Sequence, residues 1–507
     1  MMRVSLVTLG CDKNTVDNEY LAGLLEDAGC EIVVLDDPDA ADGIDAAVVL
    51  TCGFIGDAKA QSVAAIVELA EGKRARGVPA RLFVAGCLAQ RYAADLLKEI
   101  PEIDGIAGVG QFDRLAEMVL GRWGSEKGES GGDTVPIKGE KRLIAVKSAQ
   151  CYQTVAESTS STESTSSTKS TSSTKSILSK PSQRRESQRN AVKPVPCVDI
   201  RRFMRRRRLD NVPYAFLKIA DGCNHACSFC SIPAMKGRLR SVPPGILLEE
   251  AKDLLRQGVR ELNLVAQDIS VYGTDLGCAY RLPALLRALC AIEGDFWVRC
   301  LYCYPGGVSD ELIETMATEA KIVPYLDIPL QHLDRKVLER MKRPRADLDA
   351  VDLVDRLRRS IPGLTLRTTM LVGFPGETPV AHRRMLEGMR ALRFDRLGAF
   401  EYSREEGTPA AQAPRQVGKV TREKRWHAVM ALQAEIAAQV NAARIGRRER
   451  VLVEGYDADR RRWIARSAAD APEVDGHVYV KSGSIRAGEF VMVEITNADR
   501  YDVFGVA

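Results

Sequence analysis

The chain has 507 residues, 45% of them hydrophobic, which is ordinary for a globular protein of roughly three domains. Its 72 Lys and Arg nearly balance 68 Asp and Glu, so the chain as a whole is not a polycation that coats nucleic acid. No run approaches the ~18 apolar residues of a membrane span, and no signal-peptide pattern opens the sequence. Thirteen cysteines in such a chain favour a reducing cytoplasm and metal chemistry over disulfides.

Residues 1–123 alternate predicted strands and helices. The predicted strands are Val4–Leu9, Ala46–Leu50 and Arg81–Ala85, and the predicted helices are Asp17–Ala28, Ala58–Gly72 and Gln90–Ile100. This βαβ pattern predicts an N-terminal α/β domain with an open parallel sheet.

A cysteine follows each of these three strands directly: Cys11, Cys52 and Cys87. Ligands of open parallel sheets bind at the carboxyl ends of the strands, so the three thiols are expected to converge. Any one of them alone would be read as a small buried hydrophobic residue. Because a cysteine follows all three predicted strands, a shared metal site is favoured over three separate buried thiols.

Residues 124–210 break the pattern. The segment Ser-Thr-Ser-Ser-Thr recurs at 158–162, 164–168 and 170–174. A polar repeat of this kind cannot bury enough apolar surface to fold, which predicts a disordered insert or linker. The arginine-rich run 201–208 that follows is either a nucleic-acid contact or a solvated linker end.

Residues 211–444 repeat a strand–helix unit six times. The predicted strands are Tyr214–Ala220, Glu261–Ala266, Trp297–Tyr304, Tyr325–Leu330, Leu366–Val372 and Arg396–Tyr402. Six such units predict a partial (β/α)6 barrel, in which chemistry lies at the carboxyl ends of the strands. Gln267, Asp268, Gln331 and Glu377 lie there and are candidate cofactor contacts by position.

The first of these strands leads into Cys223, Cys227 and Cys230, at C-x3-C-x2-C spacing. Three thiolates on one short loop can hold three corners of an iron–sulfur cluster and leave one iron free for another ligand. Zinc is the alternative, but structural zinc sites take four ligands, and His225 lies inside the first spacer with poor reach. Three inert buried thiols are the remaining alternative.

In residues 445–507 the hydrophobic pattern changes from that of alternating strands and helices to that of strands alone. Short predicted strands separated by turns indicate a small C-terminal β-barrel. With 10 Lys and Arg against 11 Asp and Glu, this segment lacks the basic excess that is typical of a nucleic-acid-binding barrel.

The cysteine loop resembles the signature of the radical S-adenosylmethionine enzymes. Further segments resemble the methylthiotransferases within that superfamily, and in particular the RimO-type branch, which modifies an aspartate of small-subunit ribosomal protein twelve. These segments are Gly10–Asp17 (Gly-Cys-Asp-Lys-Asn-Thr-Val-Asp), Lys218–Cys223, Tyr325–His332 and Phe394–Gly398. The resemblance covers nearly the whole chain except the insert, which departs from the family pattern. It implies a methylthiotransferase domain (1–123), a radical S-adenosylmethionine domain (211–444) and a TRAM domain (445–507).

The resemblance also implies two 4Fe-4S clusters, one on Cys223, Cys227 and Cys230 and the second on Cys11, Cys52 and Cys87, with S-adenosylmethionine as the other cofactor. The first would generate a radical that takes hydrogen from the β-carbon of the target aspartate, and the second would carry the sulfur or methylthio group. The expected partners are the ribosomal protein and an external electron donor, with no membrane. A tRNA methylthiotransferase and a non-catalytic iron–sulfur protein remain the alternatives.

Overall fold

A computed structural model describes residues 1–33, 43–122, 205–277, 279–343 and 349–507. The Ser/Thr repeats of the predicted insert lie outside this range. The chain forms two compact units. The N-terminal unit comprises residues 1–210 together with 234–237, and the C-terminal unit comprises 211–233 and 238–507. In the described part of the chain, no helix is both long and apolar enough to span a bilayer.

The N-terminal unit is built on a parallel five-stranded sheet with the order β2-β1-β3-β4-β5. Its elements are β1 Arg3–Thr8, α1 Asp12–Asp27, β2 Glu31–Val33, β3 Ala46–Thr51, α2 Gly56–Arg76, β4 Leu82–Gly86, α3 Cys87–Glu99, β5 Ile103–Ala107 and α4 Phe112–Val119. Every residue of β3 is buried. Alternate residues of β3 belong to two separate apolar clusters, one on each face of the sheet, because helices cover both faces.

The three predicted strands of this unit are present, whereas β2, β5 and α4 were not predicted. Helix α1 begins at Asp12, five residues before the predicted start at Asp17. The first turns of α1 carry polar residues that are nevertheless buried, including Asp12, Lys13 and Asn14. A polar stretch of this kind has no apolar periodicity, so the sequence pattern could not locate the helix start.

The C-terminal unit contains a parallel six-stranded sheet with the order β13-β12-β11-β10-β9-β6. Its strands are β6 Tyr214–Lys218, β9 Glu261–Val265, β10 Trp297–Cys300, β11 Ile322–Asp327, β12 Thr365–Val372 and β13 Arg396–Glu401, and a short pair is formed by β7 Ala220–Asp221 and β8 Arg240–Ser241. Helix α5 Ile232–Lys236 lies between β7 and β8 in sequence and ends within the segment 234–237 of the N-terminal unit. The helices of the C-terminal unit are α6 Pro244–Arg256, α7 Leu282–Cys290, α8 Asp310–Thr318, α9 Arg335–Arg340, α10 Ala350–Ser360, α11 Pro379–Leu392 and α12 Lys419–Ala442. All six predicted strands are present, and the predicted open (β/α)6 architecture is confirmed.

A closed five-stranded barrel with the order β14-β15-β16-β18-β17 follows α12. Its strands are β14 Arg448–Asp457, β15 Arg462–Ser467, β16 Val478–Lys481, β17 Phe490–Ala498 and β18 Val503–Val506. The predicted small barrel is therefore confirmed, although β15 was not predicted. Arg466 of β15 is 1% exposed, and a buried arginine hides the alternation that marks a strand.

Buried ion pairs join this barrel to the six-stranded sheet. The Glu261 carboxylate on β9 accepts hydrogen bonds from Arg299 Nε and from Arg466 Nη2 of the barrel, both at 2.6 Å. Arg367 Nη1 on β12 donates to Asp475 Oδ1 at 2.7 Å. Both carboxylates are compensated by guanidinium groups, so these charges are stable without water.

Candidate metal centres

The first candidate centre lies at the carboxyl edge of the N-terminal sheet. Its cysteines follow three adjacent strands: Cys11 after β1, Cys52 after β3 and Cys87 after β4. Cys11 is the N-cap residue of α1, and Cys87 is the first residue of α3. The three cysteines therefore follow neighbouring strands at one edge of the sheet, and the convergence of their thiols stays a prediction.

Side-chain hydrogen bonds tie these three strand ends together. Asn14 Nδ2 donates to the Leu9 carbonyl at 2.7 Å and to the Thr51 carbonyl at 3.3 Å, linking the ends of β1 and β3. The Thr51 hydroxyl donates to the Ala85 carbonyl at 2.6 Å, linking β3 to β4. The spacing of the cysteine loops is therefore fixed by buried polar contacts.

Two glycines allow the cysteine loops to approach one another. A Cβ at Gly10, where φ is +102°, would lie 2.7 Å from Cys52 Cβ and 3.2 Å from its sulfur. A Cβ at Gly53 would lie 2.8 Å from the Cys87 carbonyl carbon and oxygen. Only glycine fits at either place, so the loops close around one another without intervening side chains.

A small cavity beside Cys87 is also part of this unit. Its lining includes Cys87, Asn14, Asp17 and Lys236. Lys236 is 3% exposed, and its Nζ lies 3.9 Å from Asp17 Oδ2. A buried ammonium group therefore lies at the same cavity as a candidate ligand.

The second candidate centre is the loop 223–230 at the carboxyl end of β6. Ser228 anchors its middle: the Ser228 N–H donates to the Met341 carbonyl at 2.9 Å, its hydroxyl donates to the Arg340 carbonyl at 2.8 Å, and its carbonyl accepts from the Ala410 N–H at 2.9 Å. At the amino end, Asn224 Oδ1 accepts from the Leu239 N–H at 3.1 Å. The loop is thus held from several sides.

The three thiols of this loop are half-buried and close enough to influence one another. Burial, together with the neighbouring Cys227 and Cys223, raises the pKa of Cys230 to about 12. Burial also raises the pKa of Cys223. A thiol with a raised pKa forms a thiolate at neutral pH only when a nearby cation stabilises the negative charge. Bound iron would provide that cation.

The donor sets fit iron–sulfur clusters better than a single ion. Among the described residues, no three Cys, His, Asp or Glu side chains converge closely enough to hold one metal ion. A four-iron cluster spreads its thiolate ligands over the corners of a cube, so it does not need such convergence. His225, which would have to be the fourth ligand of a zinc ion on this loop, instead places its Nε2 2.7 Å from Asp268 Oδ2.

The residues around the second centre also offer polar atoms for a further ligand. Gln267 Oε1 and the Tyr304 hydroxyl are buried and have no hydrogen-bond partner in the described part of the chain. Gln267 Nε2 donates to Asp221 Oδ1 at 3.0 Å, just before the cysteine loop, and the Tyr304 ring stacks on His225. Orphaned polar atoms at this edge fit a polar cofactor such as S-adenosylmethionine.

The other three candidate cofactor contacts already have protein contacts. Asp268 Oδ1 accepts from the N–H and hydroxyl of Ser270, at 2.9 and 2.6 Å, while its second oxygen meets His225. The Gln331 N–H donates to the Thr369 carbonyl at 2.8 Å. Cofactor binding by these residues stays a prediction.

Glu377 is fully buried, and its carboxylate is surrounded by donors. Arg425 Nη1 lies 3.1 Å from its Oε2, and His382 Nδ1 lies 3.3 Å from its Oε1. Burial favours the neutral acid, but the nearby imidazoles of His332 and His382 and the charge of Arg425 lower the pKa of Glu377 to about 2. These contacts hold the turn 373–377, and a direct contact with the cofactor stays a prediction.

Several site residues were not found from the sequence. Asn14, Thr51 and Lys236 surround the first centre, and Tyr304 and Arg343 lie beside the second. For Asn14 a signal was available, since it lies in the motif that opens the chain. The others reach their sites through contacts distant in sequence, and no spacing rule reports such contacts.

Comparison with known proteins assigns three consecutive parts of the chain to described families. The pattern of the radical SAM superfamily matches residues 217–387, that of the uncharacterized protein family UPF0004 matches 3–108, and that of the TRAM domain matches 445–507. In fold, the chain is similar to the radical S-adenosylmethionine methyltransferase TsrM from Kitasatospora setae (TM-score 0.51, 17% identity, 81% of this chain and 74% of that chain). The fold and the cysteine loop thus define a radical S-adenosylmethionine enzyme.

Two curated relatives are more specific. The ribosomal protein uS12 methylthiotransferase RimO of Lachnoclostridium phytofermentans is 38% identical over 507 residues, which is 100% of each chain. The protein of that name from Trichlorobacter lovleyi is 38% identical over 504 residues, covering 99% of this chain and 97% of its own. The chain belongs to the RimO family of methylthiotransferases.

Proposed function

We propose that this protein is a methylthiotransferase that adds a methylthio group to the β-carbon of an aspartate in small-subunit ribosomal protein uS12. The observation that carries the proposal is the pair of separate three-cysteine sets, one in each unit, each of which would leave a four-iron cluster one protein ligand short. Full-length similarity to enzymes named for this substrate supports the choice of the ribosomal protein.

Six cysteines would hold the two 4Fe-4S clusters: Cys11, Cys52 and Cys87 in the N-terminal unit, and Cys223, Cys227 and Cys230 in the C-terminal unit. When bound, the clusters and S-adenosylmethionine supply the radical and sulfur-transfer chemistry that protein side chains cannot perform. The chain's own residues position these groups. Asn14 and Thr51 fix the spacing of the first three cysteines, and Ser228 fixes the loop that carries the other three.

Residues around the cysteine loop would also bind and orient S-adenosylmethionine. The Tyr304 hydroxyl and Gln267 Oε1 would receive polar atoms of S-adenosylmethionine, because both are buried without a partner in the described chain. The stack of Tyr304 on His225, with ring centroids 3.9 Å apart, forms a wall beside Cys223 and excludes water from that side.

A tRNA substrate is the main alternative, and the charges argue against it. Three arginines of the described part of the arginine-rich run are paired with acidic residues. Arg207 Nε donates to Glu26 at 2.7 Å, Arg208 Nη2 donates to Asp210 at 2.8 Å, and Arg206 pairs with Glu19. A basic ribosomal protein suits a barrel without basic excess better than tRNA does.

The decisive experiment offers the anaerobically reconstituted enzyme the ribosomal protein and adenosine-modified tRNA side by side. Mass spectrometry would locate any added methylthio group. We expect it on an aspartate of the ribosomal protein, and a gain on the tRNA alone would overturn the proposal. A reconstituted protein that forms no 5′-deoxyadenosine with either substrate would support the non-catalytic alternative.

The two centres are predicted to have separable roles. Cys227→Ala should abolish cleavage of S-adenosylmethionine because the cluster of that centre would lose a ligand. Cys52→Ala should spare cleavage but stop methylthio transfer. The measurement is 5′-deoxyadenosine and modified protein from each variant, and normal product from Cys52→Ala would contradict the two-centre account.

The compartment follows from the substrate. Ribosomal proteins of the small subunit are assembled in the cytoplasm, and iron–sulfur clusters need reducing conditions and an external electron donor. We therefore place the activity in the cytoplasm as part of the same proposal.

A further inference from the structure

Arg343 lies against the cysteine loop of the C-terminal unit. Its Nη1 donates to Cys227 Sγ at 3.9 Å, and its Nη2 donates to the Pro329 carbonyl. Arg343 comes shortly after α9, whose carboxyl end binds Ser228 of the same loop. The element that anchors the loop thus also delivers a guanidinium group to one of its sulfur atoms.

The guanidinium group is the first layer of a three-layer stack. Its Cζ lies 4.2 Å from the centroid of the Tyr304 ring. Tyr304 is the middle layer, and His225 is the third. The centroids of the His225 and Tyr304 rings are 3.9 Å apart, and the angle between the ring planes is 15°. Asp268 holds His225 from the side at 2.7 Å. A cation stacked on a fixed aromatic ring loses little freedom when it binds a sulfur atom.

The charge of Arg343 is felt by the neighbouring thiols. The Arg343 guanidinium lies against Cys227 Sγ, in the same eight-residue loop as Cys223 and Cys230. The guanidinium therefore favours negative charge on these sulfur atoms. Net charge and hydrogen bonds to the sulfurs are two of the factors that set the reduction potential of an iron–sulfur cluster.

We propose that Arg343 is a positioning residue that raises the reduction potential of the cluster bound by Cys223, Cys227 and Cys230. In the step it assists, one electron passes from a low-potential one-electron donor to the oxidised cluster. No bond breaks, and Arg343 keeps its proton throughout. The inference rests on the proposed function only in requiring that this loop holds a cluster.

The test compares Arg343→Gln with Lys342→Gln. Lys342 is the adjacent residue, its side chain is exposed, and its replacement removes the same formal charge. Both changes are made in full-length protein whose Cys11, Cys52 and Cys87 are replaced by Ala, so that one cluster reports. The reduced fraction is read by electron paramagnetic resonance at defined potentials with dithionite as reductant.

We expect Arg343→Gln to lower the ratio of reduced to oxidised cluster about tenfold at a fixed potential, a midpoint shift of about 59 mV for one electron. Lys342→Gln should have the same midpoint potential as the protein that keeps both Lys342 and Arg343. Arg343→Lys should fall between them, since it keeps the charge but loses the planar stack and the fixed donor.

Equal midpoints for Arg343→Gln and Lys342→Gln would overturn the inference while leaving the proposed function intact. If the protein with all six cysteines intact binds no iron, both the inference and the proposed function are overturned. If Arg343→Gln fails to retain its cluster, Tyr304→Leu carries the test, because it removes the stacking ring and keeps the cation. A lower midpoint in Tyr304→Leu supports the inference, and an unchanged one contradicts it.

Discussion

Glycines next to the N-terminal cysteines control how closely the thiols approach. Gly10 precedes Cys11 and faces Cys52, while Gly53 follows Cys52 and faces Cys87. Each cysteine loop is therefore in contact with the next through a position where no side chain fits. The arrangement of the three cysteines therefore depends on the absence of a side chain at Gly10 and Gly53, as well as on the cysteines themselves.

Gly10→Ala is predicted to damage the first centre selectively. The added Cβ would lie 2.7 Å from Cys52 Cβ, so the Cys52 loop must move. We expect bound iron to fall from roughly eight to roughly four atoms per chain, with the C-terminal cluster retained. Iron analysis and 5′-deoxyadenosine formation measure the two effects.

Gly29→Ala is the matched control for that change. Gly29 also has a positive φ, of +86°, but a Cβ there meets nothing within 4 Å. It should cost about 1 kcal/mol of unfolding free energy through backbone strain alone and leave the iron content unchanged. Equal iron loss in both variants would contradict the steric explanation.

The sequence identified the cysteines but not the residues that support them. The C-x3-C-x2-C spacing is local, and the three strand-end cysteines follow from the βαβ pattern, so both sets could be predicted. Arg343 is 116 residues from Cys227, and Lys236 is 149 residues from Cys87 along the chain. Contacts over such separations arise only from the tertiary fold, and no local pattern encodes them.

At the scale of elements, buried charges hid part of the fold from sequence reasoning. Strands with apolar runs, such as β3 and β12, were predicted nearly to the residue. Strand β15 and the start of α1 were missed, because both bury charged or polar side chains that are matched by partners elsewhere. The pattern of hydrophobicity reports burial only when burial is apolar.

Glu261→Gln is predicted to destabilise the C-terminal unit strongly. Glu261 is fully buried, and the charges of Arg299 and Arg466 keep its pKa low despite the opposing effect of burial. Glutamine would leave Arg299 without a carboxylate partner and Arg466 with Glu454 alone, at a cost of about 3–5 kcal/mol. Urea unfolding followed by tryptophan fluorescence measures the loss.

The control for this prediction is Glu311→Gln. Glu311 pairs with Arg287 on the surface, where both side chains are about half exposed. Removing that carboxylate should cost under about 1 kcal/mol. If the two variants unfolded at the same urea concentration, burial of the Glu261 pair would not be the source of its stability.

At the scale of the whole molecule, the C-terminal barrel is structurally part of the radical S-adenosylmethionine unit. Three of its residues neutralise charges that project from the six-stranded sheet. Arg466 meets Glu261, Asp470 meets Arg396 at 2.6 Å, and Asp475 meets Arg367. The barrel therefore cannot be treated as an appendage that only recognises substrate.

A chain ended at residue 444 is predicted to fail as a catalyst for structural reasons. It would remove Asp470 and Asp475, the barrel carboxylates that pair with Arg396 and Arg367, and would expose the part of the sheet that the barrel covers. We therefore expect little soluble protein and no cluster on Cys223, Cys227 and Cys230. Soluble yield and iron content measure this outcome. A soluble, iron-containing chain of that length would show that the ion pairs contribute little to stability.

The short segment 234–237 makes both structural units discontinuous in sequence. It is encoded within the sequence of the C-terminal unit, yet it belongs to the N-terminal unit and contributes Lys236 to the cavity beside Cys87. A gene divided after residue 210 would therefore give a first product that lacks part of its own cavity lining. The two halves of this protein are expected to resist separation into independent genes, because neither is encoded by one continuous stretch.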